Sequence, residues 1–250
     1  MFAKVNSMGL FGMDAFSVEV EADLSQGLPK FEIVGLPDTA VSEAKDRVRS
    51  AIKNSGFSFP QSRVTINLSP ADIRKEGSVY DLPIFIAIIK ATEQLRVNID
   101  DCAFIGELSL DGLVRRVNGA LPMVIRAKNS GIKHVFVPAE NALESSVVTG
   151  TQVFAVESVE QLIKHLSGEE VLPQIKDTLS KIDNWNNSDL FTALVELSAK
   201  LEIKKQALLW IMRIAITGKE ATAGGATEVA DILGKQETLN RIDFSINLLA

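Results

Sequence analysis

Hydrophobic and polar positions alternate in the first two-thirds of the chain, and then the period changes. Ala15, Ser17 and Glu19 alternate with Phe16, Val18 and Val20, the period of two expected of a half-buried strand. Phe31, Ile33 and Val34 predict a second strand that stops at Gly35-Leu36-Pro37. Asp38 then stands where it can cap a helix whose apolar face is Val41, Ala44, Val48, Ala51 and Ile52, with Gly56 at its end. Val64, Ile66 and Leu68 predict another alternating strand. A polar loop leads from it to a nearly all-apolar helix over 82–89, a pattern that belongs in a core. Asp81 is placed to cap that helix, and Pro83 falls in its first turn, where a missing N–H does no harm. Strands over 104–110, 134–137 and 153–155 then alternate with helices over 119–130, 139–145 and 159–166.

Beyond the short polar junction Ser167-Gly168-Glu169-Glu170 the strand period stops. Ile175, Leu179 and Ile182 predict a short helix with Trp185 packed at its end. Ser188 or Asp189 is placed to cap the next, which carries Leu190, Ala193, Leu194, Leu197 and Leu201 at helical spacing. Helices over 204–217 (ended by Gly218), 226–233 (ended by Gly234) and 236–249 complete the pattern. The expected fold is therefore α+β: an α/β module over 1–170 followed by an all-α module over 171–250.

Composition narrows the function classes. The 250 residues are 46% hydrophobic and 23% charged, with a formal net charge of −6, which is ordinary for a globular protein. Residues 1–170 hold 17 basic and 22 acidic groups, and 171–250 hold 9 and 10. Neither half is a basic block, so any nucleic-acid contact must come from a local patch. The single cysteine, Cys102, excludes an internal disulfide framework and reads as an inert thiol, since no histidine is near it in sequence. The N-terminus has no long apolar stretch and no segment has the length of a membrane span, so a cytoplasmic protein with no membrane partner is expected.

Three groups of residues carry candidate chemistry. Lys45, Arg49 and Lys53 recur every four residues on the face opposite the apolar one, with Arg47 nearby. They form either a docking stripe or a solvated surface, and the interleaved Glu43 and Asp46 favour the second. Lys75 and Ser78 lie in the polar loop, where Lys75 is expected to be solvated. In the helical half, Arg213 is the only charge between Gln206 and Thr217. It suits either a stacked or phosphate-forking contact with RNA or an internal cap or ion pair.

The stretches VGLPDTAVSEAKDRVRSAIKNSGFSFP, NLSPADIRKEGSVYDLPI and GELSLDG followed by GIKHVFVPAENA resemble the N-terminal domain of the ComM/YifB family, magnesium-chelatase-like AAA+ proteins. That resemblance covers about residues 1–170. It implies the fold of ribosomal protein S5 domain 2, shared with the proteolytic domain of Lon and the C-terminal domain of RadA. Lon-type proteases use a Ser–Lys dyad. In the implied alignment the serine position falls on Val79 and the lysine position on Met123, with Ser78 one residue out of register. A non-catalytic scaffold is therefore expected. The ATPase of that family is entered through a Gly-x-x-x-x-Gly-Lys-[Ser/Thr] loop, and no such motif occurs in these residues.

The stretch from DNWNNSDLF to KQETLNRI resembles the C-terminal end of bacterial glutamyl-tRNA synthetase, the last part of a helical anticodon-binding region. This implies tRNA contact without aminoacylation, because neither His134 nor His165 lies in a synthetase catalytic motif. The tRNA-binding candidates are Lys204, Lys205, Arg213 and Lys219, and the alternative docking face is Lys45, Arg49 and Lys53. Ile211 follows Trp210 where that family commonly has proline. No catalytic residue, metal or cofactor is implied. Three functions follow as expectations: a binding protein for glutamate-type tRNA, an accessory module acting with DNA or an AAA+ partner, or a truncated fusion without selected function. Apolar surface left by missing neighbours would favour self-association.

Overall fold

A computed structural model describes the chain apart from Glu202, Glu220 and Ala250, and apart from the side chains of residues 168–170 and 248–249. The first elements are β1 (Phe2–Phe11), β2 (Asp14–Ser25), β3 (Lys30–Val34), α1 (Thr39–Asn54), β4 (Arg63–Ser69) and α2 (Asp81–Ala91). After them come β5 (Cys102–Phe104), β6 (Glu107–Leu108), β7 (Val114–Arg115), α3 (Ala120–Asn129), β8 (His134–Pro138), α4 (Ala139–Ser145) and β9 (Gln152–Val156). The helical remainder is α5 (Val159–Ser180), α6 (Asn187–Lys200), α7 (Lys205–Thr217), α8 (Ala226–Leu233) and α9 (Lys235–Leu249). The chain divides into two compact units, Met1–Ile163 and Lys164–Ala250, and the fold is α+β with a helical C-terminal region.

The first unit is a mixed seven-stranded sheet in the order β3-β4-β2-β1-β5-β8-β9, with β6 and β7 as a separate hairpin. β1 and β2 form a long antiparallel pair from Phe2 opposite Asp23 to Phe11 opposite Asp14. β5, β8 and β9 continue from β1 as parallel strands. Parallel neighbours are buried on both faces, which is why the sequence there is a run of Ala103, Phe104, Val135, Phe136 and Val137, all buried. Phe104, Phe136 and Phe154 sit in register on the three strands, and their rings stack at 5.0 Å.

Local signals place α1 as expected. Asp38 is its N-cap and accepts from the Val41 N–H at 2.7 Å, and Val41, Ala44, Val48, Ala51 and Ile52 are its buried residues. The all-apolar α2 packs against β1, β2 and α1, and Leu82, Ile84, Phe85, Ile86, Ile88 and Ile89 are fully buried there. Each such side chain contributes about 1.5–3 kcal/mol.

Four local expectations are corrected. Asp81 does not cap α2; Tyr80 stands at the N-cap without a side-chain bond, and the Asp81 carboxylate is taken by Arg47. The expected strand over 104–110 is interrupted, because at Gly106 the chain leaves the sheet to meet α2. The Gly106 N–H donates to the Val79 carbonyl at 3.1 Å, and the Leu82 N–H donates to the Gly106 carbonyl at 3.0 Å. The helices expected on either side of the 167–170 junction are one helix, α5. A single glycine costs a helix only about 1 kcal/mol, and apolar residues bury at both ends of this one, from Leu162 and Leu166 to Ile175 and Leu179. Finally α6 is capped by Asn186, which accepts from the Asp189 N–H at 3.0 Å, rather than by Ser188 or Asp189.

In the second unit Ile175, Leu179, Leu190, Leu194, Leu208, Met212, Ile216, Ala230 and Ile242 form one core. The Trp185 indole N–H donates to the Ala230 carbonyl at 2.9 Å, anchoring the α5–α6 connection on α8. Arg241 reaches from α9 to the Ile216 carbonyl at 2.9 Å, satisfying a group at the end of α7.

Candidate functional site

The polar loop between β4 and α2 closes on itself around Lys75. Its main chain bonds to the turn after β3, with the Lys75 N–H donating to Leu36 O at 3.1 Å and the Asp38 N–H donating to Lys75 O at 3.0 Å. Asp38 clamps both sides: one carboxylate oxygen caps α1 and the other accepts from the Gly77 N–H at 3.1 Å. Lys75 itself is fully buried, contrary to the expectation of a solvated side chain. Its ammonium donates to the carbonyls of Pro70 and Ile73, the latter at 2.8 Å. Burial pulls its pKa below the ordinary lysine value, opposed by Asp72. An amine occupied by carbonyl oxygens of its own loop holds the loop together and is not directed at Ser78, whose hydroxyl donates instead to Glu107. Val79 and Met123, the positions matching a Lon-type dyad, are core residues.

Beside the loop lies an ion pair whose carboxylate is fully buried and whose guanidinium is partly buried. Arg47 donates from Nε and Nη2 to the two carboxylate oxygens of Asp81 at 2.6 and 3.0 Å, and to the Ala40 carbonyl at 3.0 Å. Asp81 also accepts from the Leu108 N–H at 3.1 Å. Burial pushes the Asp81 carboxyl up from its ordinary pKa while Arg47 pulls it down; the hydrogen bond to Asp81 raises the guanidinium further above its already high value. Three donors on one carboxylate oppose the rise in Asp81 by favouring its ionised form. The link ties α1, α2 and β6 together across 34 residues of sequence. No local spacing rule could have found it.

The rest of α1 separates by direction. Arg47 turns inward, Lys45 is half-buried, and Arg49 and Lys53 are exposed. The Arg49 guanidinium stacks 4.8 Å from the Phe59 ring, which in turn contacts Phe31 at 5.5 Å. Stacking fixes the plane of a guanidinium and leaves its edges directed outward.

In the second unit Lys204 is the N-cap residue of α7 and Lys205 its first residue, and both are exposed. Lys205 lies 5.9 Å from the Phe191 ring. Arg213 is half-buried in the middle of α7, two turns further on, and Lys219 is exposed just beyond Gly218, the left-handed residue that ends the helix. The four candidates therefore spread along the whole of α7 rather than meeting at one point. Lys164 stacks over Trp210 at 4.7 Å, a cation near α7 that the sequence reading passed over because it lies in α5.

Cys102 is buried, but the parallel register sets it opposite His134, whose Nδ1 is 4.0 Å from the sulfur. The histidine absent from its sequence neighbourhood is thus present in space. Among the described residues no three His, Cys, Asp or Glu side chains converge as metal ligands, and no helix is long and apolar enough to cross a membrane.

These features describe an α+β module with Arg47 and Lys75 turned inward, together with a helical bundle in which Lys204, Lys205 and Lys219 are exposed. Comparison with known proteins finds the same two parts. The family described as subunit ChlI of Mg-chelatase matches residues 20–141, and the family described as an anticodon binding domain matches residues 146–246. The competence protein ComM of Haemophilus influenzae is 36% identical over 203 residues, which is 79% of this chain and 40% of that protein. The YifB protein of Escherichia coli is 42% identical over 189 residues, 74% of this chain and 37% of its own length. The glutamate–tRNA ligase of Clostridium tetani is 44% identical over 80 residues, 32% of this chain and 16% of the ligase. The chain spans about a third of the length of the curated ComM- and YifB-like relatives it matches. Its first part is thus similar to the ChlI family of Mg-chelatase and to ComM and YifB, and its second part to an anticodon binding domain and to glutamate–tRNA ligase.

Proposed function

We propose that this protein is a non-enzymatic tRNA-binding protein, whose helical unit contacts glutamate-type tRNA along α7. The observation that carries the reading is the likeness of the C-terminal segment to glutamate–tRNA ligase within a matched anticodon-binding domain. Lys204, Lys205 and Lys219 supply exposed charge for phosphates, and Arg213 supplies a half-buried fork at mid-helix. The Lys75 ammonium is taken up by carbonyls and Val79 and Met123 are in the core, which supports a non-catalytic first unit. The test is a titration of the full chain against glutamate tRNA, an anticodon-altered tRNA and branched DNA at one fixed salt concentration. Saturable tRNA binding is expected, weakened by the anticodon change and by Arg213→Lys with helicity unchanged.

A second reading rests on the stacked Arg49. With Lys45 and Lys53 it would dock DNA or an ATPase partner. Preference for branched DNA, lost in Arg49→Ala, would favour it over the first. Binding to none of the three ligands and to no ATPase partner would leave a folded fusion without a selected nucleic-acid role.

A further inference from the structure

A helix ends in carbonyl groups that lack partners within it, and nearby lysines are drawn to them. Lys219 lies two residues beyond α7, where such carbonyls could claim its ammonium. They are already taken. The Ile214 carbonyl accepts from the Gly218 N–H at 2.8 Å, the Ala215 carbonyl from the Ser245 hydroxyl at 2.9 Å, and the Ile216 carbonyl from Arg241 Nη1 at 2.9 Å. Ser245 and Arg241 both reach across from α9. The half-buried Thr217 hydroxyl then fixes the chain beyond the helix. It donates to the Arg213 carbonyl at 2.7 Å and accepts from the Lys219 N–H at 3.1 Å. Lys219 is exposed, and among the described residues its ammonium has no hydrogen bond or ion pair.

Resting on the tRNA reading above, we infer that Thr217, Ser245 and Arg241 are positioning residues that keep Lys219 fixed and free for a phosphate group of the tRNA. The side chains of α9 satisfy the end of α7 in place of the lysine, so its ammonium stays directed to solvent. A residue whose backbone is held beforehand also loses less freedom on meeting its ligand. A phosphate is the fitting ligand, because an ammonium acts as a point charge and phosphate contacts position a nucleic acid without reading its bases.

The test is titration of the full chain with glutamate tRNA over a range of salt concentrations. Lys219→Ala should weaken binding about fivefold and lower the salt slope by about one ion. Thr217→Val removes the hydroxyl and keeps the branched shape; it should weaken binding about threefold with the slope unchanged. Thr217→Ser should restore the affinity. In a Lys219→Ala chain Thr217→Val should change nothing further, because it acts through the lysine. Hydrogen exchange at the Lys219 amide should quicken in Thr217→Val. Ser245→Ala should weaken binding in the same sense, since the freed Ala215 carbonyl competes for the ammonium. Equal losses from Thr217→Val with and without Lys219 overturn the inference. So does an unchanged affinity in Thr217→Val while the unaltered chain binds saturably. Absence of saturable tRNA binding by the unaltered chain instead removes the tRNA reading, and the inference with it.

Discussion

Arg47, in the middle of α1, and Lys204, at the N-cap of α7, each have other cations nearby in sequence, yet they end in opposite surroundings. In the sheet unit Arg47 is drawn inward onto Asp81, and Lys75 disappears into its own loop. In the helical unit Lys204, Lys205 and Lys219 remain exposed. The difference teaches that a cation is committed where the fold brings it a carboxylate or carbonyl in a dry place, and is left available where the surrounding surface is thin. A layered sheet with helices packed on it creates such dry places between elements. The small bundle does so at fewer places, where Arg241 reaches the Ile216 carbonyl and Lys235 the Ile182 carbonyl.

The largest expected effect lies on the committed side. Asp81→Ala leaves Arg47 without its partner and should cost about 3 kcal/mol, measured by urea unfolding. The double replacement Arg47→Met, Asp81→Leu should cost clearly less, because it buries no unpaired charge. Equal losses in both variants would mean the pair matters only through packing.

Next is a polar group in the same unit that found no partner. Among the described residues the buried Tyr80 hydroxyl has no hydrogen-bond partner, and a methyl at Gly9 would collide with it and with the Phe16 ring. Gly9→Ala should cost about 1–3 kcal/mol, and adding Tyr80→Phe should restore part of it. Alone, Tyr80→Phe should be neutral or slightly stabilising in thermal melts, since no bond is lost. Burial raises the Tyr80 phenol well above its ordinary pKa. The folded state therefore keeps the proton after the unfolded chain has begun to release it. Stability should be full below about pH 10 and fall as pH rises beyond it. Tyr80→Phe should flatten that part of the profile.

Smaller effects belong to the helical unit. Asn186→Ala removes the cap of α6 and should cost about 1 kcal/mol by chemical denaturation. Lys204→Ala with Lys205→Ala should change stability by no more than about 0.5 kcal/mol. If these lysines meet phosphates, the same pair should weaken tRNA binding and lower its salt dependence by about one ion per lysine. A marked loss of stability instead would place them on the structural side and erase the contrast between the units.

Much of this architecture was legible in the residues. The alternation in β2 and β4, the apolar face of α1 below its Asp38 cap, and the spacing of α6 to α9 are local patterns, and local geometry suffices to read them. The two family likenesses were legible for the same reason, being carried by contiguous stretches. The cap of α6 and the continuity of α5 were misread within a few residues, whereas other surprises needed the fold to bring distant segments together. Asp81 looked like a cap until Arg47 claimed it, and Lys75 looked solvated until its loop folded back onto Leu36 and Asp38; the His134 beside the buried Cys102 comes from β8 and not from its sequence neighbourhood.

The sequence by itself determined the element types, the change from sheet to bundle, and which helix is buried on all sides, because hydrophobic period is a property of neighbours. Only the tertiary structure decided which charges are taken up within the fold and which stay at the surface. That choice depends on distance and dielectric between segments 30 or more residues apart, as between Arg47 and Asp81, and these come into being only when the elements pack.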